Sequence, residues 1–392
     1  MNNVKRFPLF LSFVLLLGLV ASLPQFALAT AQASTRYVSP TGIDNGDCTN
    51  AGEPCQTINY ARIQSDPADT IQLSAGTFHE NVSLFTELSL VGSGAQKTII
   101  DGGQNGNTVQ INANGIGYIS DLTIQNGEGG VDNNGQVTLA NVIIQHNQGA
   151  SIGGVYNSST AVLTMTQTTV YSNTASSGAG LTNFGTATIS QSTFYDNATN
   201  SSSPGGGLYN ATGGTMTLEN VTISGNVAGS GGGIANSHTL TMQNVTVANN
   251  RTITGFGNGI SNYGDIEFQN SIVANNPGSK QCEGPGTLTS LGHNLENTNS
   301  CAFNQSGDLP STSVKIHPLG DYGGPTFTHL LRADSPAIDA GDNSACPATD
   351  QRGVARPLDG DDVAGAICDI GAVEYDPATD GYEYLFLPLI MR

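Results

Sequence analysis

The chain has 392 residues, of which 11% are charged, with a formal net charge of −19, fifty glycines and no tryptophan. That acidity repels phosphate backbones and anionic bilayers, which argues against nucleic acid or acidic membranes as partners. So much glycine is unusual in a helical protein, yet an apolar fraction of 38% is enough to build a core.

At the N-terminus, Lys5 and Arg6, an apolar run from Leu9 to Leu23 and the small-residue site Ala27-Leu28-Ala29 predict a secretory signal over residues 1–29, with a second possible cut after Ala33. The mature chain is then expected to have no transmembrane span, to be extracellular or at the cell surface, and to be a monomer. In an exported protein six cysteines read as disulfides, and proximity in sequence favours Cys48 with Cys55, Cys282 with Cys301 and Cys346 with Cys368. Fifteen connectivities remain open for six cysteines.

Residues 30–68 read as an N-terminal cap, with "CQTINYARIQSDPAD" a short helix that closes an otherwise open strand end. From Asp69 the pattern changes to short strands of period two. Six segments then share one register, with apolar or small residues at offsets 0, 2, 5 and 7 and asparagine at offset 10. They start at Val137, Leu163, Ala187, Met216, Leu240 and Ile266, in steps of 26, 24, 29, 24 and 26 residues. A Gly-rich element precedes each segment and ends in Asn133, Asn157, Asn183, Asn210, Asn236 or Asn262.

Three strands and three bends in about 25 residues make one coil of a parallel β-helix, because no strand so short can bury its face without a neighbouring coil. The predicted fold class is therefore all-β, a right-handed single-stranded parallel β-helix over 69–276 with three strands per coil. Asn141, Asn220, Asn244 and Asn270 recur at offset 4, with Gln167 and Gln191 between them. These amides are expected to turn a left-handed corner and to bond from coil to coil.

The alternation of Gly-Gly-x-x-Asn with Phe/Ile/Val-x-x-Asn resembles the repeats of the polymorphic outer-membrane protein family and other pectate-lyase-like β-helices. Beyond a Cys-containing connection at 277–316, "SPAIDAG" (335–341), "DQRG" (350–353), "RP" (356–357) and "DIGAVE" (369–374) resemble the choice-of-anchor Q domain. That resemblance implies surface display from residues 317–376 and brings no catalytic residues. An apolar tail at 377–392 ends the chain and is too short to span a bilayer.

Chemistry is sparse in the coils. A polysaccharide lyase needs a base beside carboxylates that hold calcium. Between Asn133 and Gly264 the only basic residue is Arg251 and the only acidic ones are Asp196 and Glu219, so Arg251 is the one weak catalytic candidate and reads more simply as a solvated turn residue. Paired carboxylates for glycoside hydrolysis are missing from the coils. Six scattered histidines suggest neither a metal site nor a triad.

Asp359, Asp361 and Asp362 could hold Ca²⁺, as could the Asp44–Asp47 turn, although both also read as solvated acidic loops. No other cofactor is expected. Tyr171 and Tyr195 share offset 8, and Tyr156 and Tyr209 each precede a bend asparagine, so all four are glycan-binding candidates as well as strand-stabilising ones. Threonines at offset 1 (Thr138, Thr164, Thr188, Thr217, Thr241) and offset 6 (Thr169, Thr193, Thr222, Thr246) form hydroxyl columns like those of ice-binding surfaces, but on opposite sides of a bend.

Sequence alone thus favours a non-catalytic adhesin-like or glycan-contacting scaffold, whose partner would be a polysaccharide or envelope component. The alternatives are a lyase or hydrolase acting on acidic polysaccharide and, as a minor possibility, an ice-binding protein.

Overall fold

Each short strand buries every second side chain, and the chain turns before it can run out of core. The computed structural model describes residues 33–199, 202–361, 363 and 365–378. Residues 1–32, where a secretory signal is expected, Asp362 and residues 379–392 lie outside these residues. The strands stack as three parallel walls of a β-helix. The first wall runs from Thr35–Val38 and Asp69–Leu73 through Thr186–Ser190, Thr215–Glu219 and Thr239–Gln243 to Thr287–Ser290. Across the next corner, Thr169–Tyr171, Thr193–Tyr195, Thr222–Ser224, Thr246–Ala248 and Ile272–Ala274 belong to the second wall. The third wall is a nine-stranded parallel sheet that includes Val155–Asn157, Leu181–Asn183 and Leu208–Asn210. A four-stranded side sheet follows the second wall, from Thr174–Ala175 to Arg251–Phe256.

The register expected from the repeat is the register observed. Leu163 pairs with Ala187, Ala187 with Met216 and Met216 with Leu240. On the second wall Val170 pairs with Phe194, Phe194 with Ile223 and Ile223 with Val247. All are fully buried, so each coil covers the apolar edge its neighbour would expose.

Two asparagine ladders run inside this apolar column. At offset 10, Asn147, Asn173, Asn197, Asn226 and Asn250 each donate Nδ2 to the Oδ1 of the next at 2.9–3.1 Å, and Asn276 closes the series by donating to Gln281 Oε1 at 2.8 Å. Each Oδ1 also accepts the backbone N–H of the preceding ladder asparagine, for example Asn197 N to Asn226 at 3.0 Å. On the third wall Asn133, Asn157, Asn183, Asn210, Asn236 and Asn262 repeat the device at 2.7–2.9 Å. Corner amides with no strand partner are thus satisfied without water.

The offset-4 residues behave differently from expectation. Asn141, Gln167, Gln191, Asn220, Asn244 and Asn270 do hold left-handed φ values, between 46° and 54°. They do not bond to one another. From Gln191 onward they reach out to the C-terminal segment: Gln191 to the Asp350 carbonyl at 3.1 Å, Asn220 to Thr349 at 2.8 Å, Asn244 to Asp369 at 3.2 Å and Asn270 to Asp342 at 3.1 Å. This corner is open to solvent on a bare coil, so its amides are free to bind another part of the chain.

That segment therefore lies lengthwise over the outer side of the second wall. Ile272, Ala274, Val314, Leu331, Ala337, Ile370 and Tyr375 form a small core beneath it. Within it, Arg352 pairs with Asp350 at 3.0 Å and Arg356 with Glu374 at 3.5 Å, all buried. Burial raises the Asp369 carboxyl well above its usual range, with the nearby Glu374 charge adding to the effect.

Both ends of the β-helix are closed. At the N-terminal end the predicted helix spans Ile58–Gln64, capped by Thr57, with Ile58 and Ala61 fully buried on the first coils. Glu80 accepts the Ile58 and Asn59 N–H groups at 2.8 and 3.0 Å, where the helix dipole favours a carboxylate. Nearby, Arg36 and Asp69 form a buried ion pair at 2.9 Å. Phe303 packs edge-on against Phe268 at the other end, with ring centroids 5.1 Å apart. The cysteines pair as Cys48–Cys55, Cys282–Cys301 and Cys346–Cys368: the first staples the N-terminal cap, the second ties the last third-wall strand at Cys282 to the chain beyond it, and the third lies within the C-terminal segment.

Asn226→Ala removes the Oδ1 that accepts the Asn197 backbone N–H and Nδ2, and the Nδ2 that donates to Asn250 and to the Phe194 carbonyl, and is expected to cost about 3 kcal/mol in urea unfolding. A second expectation concerns pH. His329 is buried, and its Nδ1 lies 2.8 Å from the His317 carbonyl, which can only accept, so Nδ1 carries the proton and Nε2 accepts the Ser224 hydroxyl at 2.9 Å. Burial lowers its pKa to about 4 from 6.5. Stability is therefore complete above the unfolded value and lost as pH falls from 6.5 towards 4, by about 3 kcal/mol. Denaturant midpoints measured across this range should fall in the wild type and fall less in His329→Gln.

Candidate functional site

The outward side chains of the three walls decide what the rod can present. On the second wall the C-terminal segment takes up most of them. Thr193, Thr222 and Thr246 are buried; Thr193 bonds the Phe327 carbonyl, Thr222 meets Gln351 at 2.6 Å and Thr246 accepts the Ala372 N–H at 3.1 Å. The offset-6 threonine column expected to face solvent is therefore largely an internal seam.

Tyr171 and Tyr195 stand at the border of this seam. Their rings stack at 4.7 Å with 2° between planes, Phe327 stacks on Tyr195 at 5.8 Å, and His146 meets Tyr171 edge-on at 5.7 Å. Burial raises both phenols above their usual range. Because the ring faces are used up within the stack, these two candidates have little face left for a sugar. Tyr195 meets the C-terminal segment through Phe327, with Tyr171 stacked behind it.

Tyr156 and Tyr209 make a different surface. They share an outward column of the third wall, with Thr182 between them. Thr182 is buried and bonds back to Ser177. Phe184, which sequence reasoning did not single out, fills the gap: its ring lies 5.7 Å from Tyr156 at 48° and 6.5 Å from Tyr209 at 77°. All three rings are half-buried. Inclined rings keep part of each face open. The signal in the sequence was the aromatic residue directly after a ladder asparagine, repeated in Tyr263 after Asn262.

One coil above Tyr156 in the same column is Asp132. It accepts the amides of Asn107, Gln110 and Asn134 at 3.0–3.4 Å. Burial raises its carboxyl above the usual range against the lowering effect of those bonds. The strip thus pairs an aromatic run with a cluster of amides and one carboxylate.

The first wall supplies the third surface. Offset 1 holds Thr138, Thr164, Thr188, Thr217 and Thr241 on five successive coils. Two residues earlier on the same strands, Thr186, Thr215 and Thr239 form a second column in register. This Thr-x-Thr spacing is visible in "TAT", "TMT" and "TLT" but is missed when one column alone is followed.

Arg251 opens a strand of the side sheet, is exposed, and forms no ion pair among the described residues. Neither Asp196 nor Glu219 is brought to it. Among the described residues the acidic loop does gather: Asp339, Asp359 and Asp361 offer carboxylate oxygens within 4.8 Å of one another, and Asp362 lies outside those residues. Asp339 already accepts the Gly360, Asp361 and Ile367 N–H groups, so a cation there would share oxygens that fold the loop. In the Asp44–Asp47 turn, Asp44 accepts the Gln56 and Thr57 N–H groups and Asp47 the Thr49 N–H, which again is a structural use. Ser224 and His329 have the distance of a nucleophile and its base, but both are buried and the second ring nitrogen meets a carbonyl rather than a carboxylate.

Comparison with solved structures identifies the architecture. The chain superposes on pectate lyase Pel9A with a TM-score of 0.57 at 15% identity, covering 88% of this chain and 97% of that one. The chain has the pectate-lyase-like parallel β-helix fold. A pectin methylesterase from Aspergillus niger matches with a TM-score of 0.37 at 12% identity, over 68% of this chain and 84% of that one. The mannuronan C-5 epimerase AlgE4 A-module of Azotobacter vinelandii matches at 0.28 and 13%, over 62% and 85%. No protein-family model and no curated protein matches the sequence. Among the described residues no helix is long and apolar enough to cross a membrane.

The seam stack gives a stability prediction. Tyr195→Ala should cost about 2 kcal/mol, and combining it with Phe327→Ala should show a coupling of about 0.5–1.5 kcal/mol in a double-mutant cycle read by urea unfolding.

Proposed function

We propose that the protein is an extracellular β-helix that binds a neutral polysaccharide along its third wall without cleaving it. The observation that carries this reading is the strip Tyr156–Phe184–Tyr209, whose inclined rings keep open faces over consecutive coils. Sugar rings bind such faces through their C–H groups, and neighbouring amides and hydroxyls supply hydrogen bonds. A chain molecule lying along the helix axis would meet a new ring at each coil, about 4.8 Å further on.

Charge selects the class of polymer. With a net charge of −19 and Asp132 beside the strip, the surface opposes uronate polymers and favours uncharged ones. Cleavage of an acidic polymer would need a base next to carboxylates, and Arg251 has none paired with it. The likeness to a pectate lyase supports the fold and a carbohydrate setting, not the reaction. Disulfides in all three peripheral segments suit an oxidising, extracellular compartment. Display at the cell surface through residues 317–376 remains part of this proposal.

Affinity electrophoresis against neutral and acidic polysaccharides tests the reading. Retardation by a neutral polymer is expected, weakened about tenfold or more in Phe184→Ala and in Tyr156→Ala/Tyr209→Ala, with Arg251→Ala unchanged. Unsaturated or shortened products from a uronate polymer, dependent on Arg251, would overturn it in favour of a lyase.

A further inference from the structure

We propose that the first wall of the β-helix is an ice-binding face, a second activity independent of the polysaccharide strip on the third wall. Its core is six threonines on three successive strands: Thr186 and Thr188, Thr215 and Thr217, Thr239 and Thr241. They are paired residue for residue across the coils. Thr164 and Thr138 continue one column for two further coils.

Two repeats define the array. Neighbouring strands lie about 4.8 Å apart, and residues i and i+2 on one strand about 6.7 Å apart on the same face. The first lies close to the basal oxygen repeat of hexagonal ice, and the second is somewhat shorter than its axial repeat. Each threonine offers a hydroxyl that can donate and accept, beside a methyl group. Its β-branched side chain is stiff at χ1, so little freedom is lost when water orders over it.

The hydroxyls are also unspent. Of these six, only Thr239 has a hydroxyl contact within the protein, at 3.5 Å to the exposed His238. The threonines of the second wall are the internal control, since Thr193, Thr222 and Thr246 all bond the C-terminal segment. Strand propensity alone favours threonine on any wall. Yet the third-wall column reads Asp132, Tyr156, Thr182, Tyr209 and Ala235, with no paired threonine column.

The alignment of these strands has a support of its own. Long untwisted sheets need side-chain ladders to hold them. Here Asn157, Asn183 and Asn210 of the third-wall ladder donate to the carbonyls of Thr186, Thr215 and Thr239 at 3.1, 3.2 and 2.9 Å, which fixes the start of each Thr-x-Thr strand. Glu219, two residues beyond Thr217 on the same face, borders the array on one side, and Asp265 and Glu267 end it on the next coil.

The test is ice growth in the presence of the purified full chain, read as thermal hysteresis and as inhibition of ice recrystallisation. Both effects are expected in the wild type, reduced about tenfold or more in Thr217→Lys and in Thr188→Lys, and unchanged in Arg251→Ala. Circular dichroism and the urea midpoint should stay at wild-type values in all three, and the two lysine variants guard against one failing to fold. The proposal is overturned if the wild type leaves ice growth unaffected, if both lysine variants keep full activity, or if the face instead retains crystalline polysaccharide with no effect on ice. Phe184→Ala should leave the ice effect intact, so loss of either activity is distinguishable from loss of the other.

Discussion

The hydrogen bond passed from one interior asparagine to the next is the constraint on which this molecule depends. Every coil must turn three corners, and each corner leaves backbone N–H and carbonyl groups facing inward. In an apolar column those groups would be costly to bury. At two of the three corners the ladders satisfy them with side chains that repeat in step with the coils, so the apolar stacks and those corner bonds share one period. Coil length can then vary, as in the step of 29 residues between Ala187 and Met216, without loss of register, because most of the extra residues fall between the ladder positions Asn197 and Asn210.

This arrangement fixes the outside as firmly as the inside. Residues at a given offset share a wall on successive coils, so chemistry accumulates in columns. One column is spent on the chain itself: the second wall carries the C-terminal segment, held by Gln191, Asn220, Asn244 and Asn270 and by the stack of Tyr171, Tyr195 and Phe327. The first and third walls carry no such cover over Thr215 or Tyr156, and it is there that the surface is free to meet other matter.

The register was legible because it is periodic. Offsets 0, 2, 5, 7 and 10 named the buried columns, and the structure pairs them residue for residue. Long-range contacts without a period were not legible. Nothing in "TATISQSTF" announces that Gln191 bonds Asp350 or that Thr193 bonds Phe327, so a column that reads as solvent-facing is in fact a seam. For the same reason the four tyrosines looked equivalent. Their separation into a closed stack and an open strip depends on Phe327 and Phe184, one distant in sequence and one just outside the column being followed. The first-wall array was written plainly in Thr-x-Thr, but its meaning depends on the hydroxyls being unclaimed, which only neighbouring atoms reveal.

The fastening of the C-terminal segment has a consequence for how such a rod can change over generations. Its anchor points span the coils from Gln191 to Asn270, so gaining or losing a whole turn inside that stretch would carry half of the anchors out of reach of their partners. Above the coil of Tyr171 and Gln191 no hydrogen bond to this segment is formed among the described residues. Duplication or deletion of complete turns there would lengthen or shorten the molecule while preserving both its closed ends and its clasp, which makes the upper half the place where related rods of different reach should diverge.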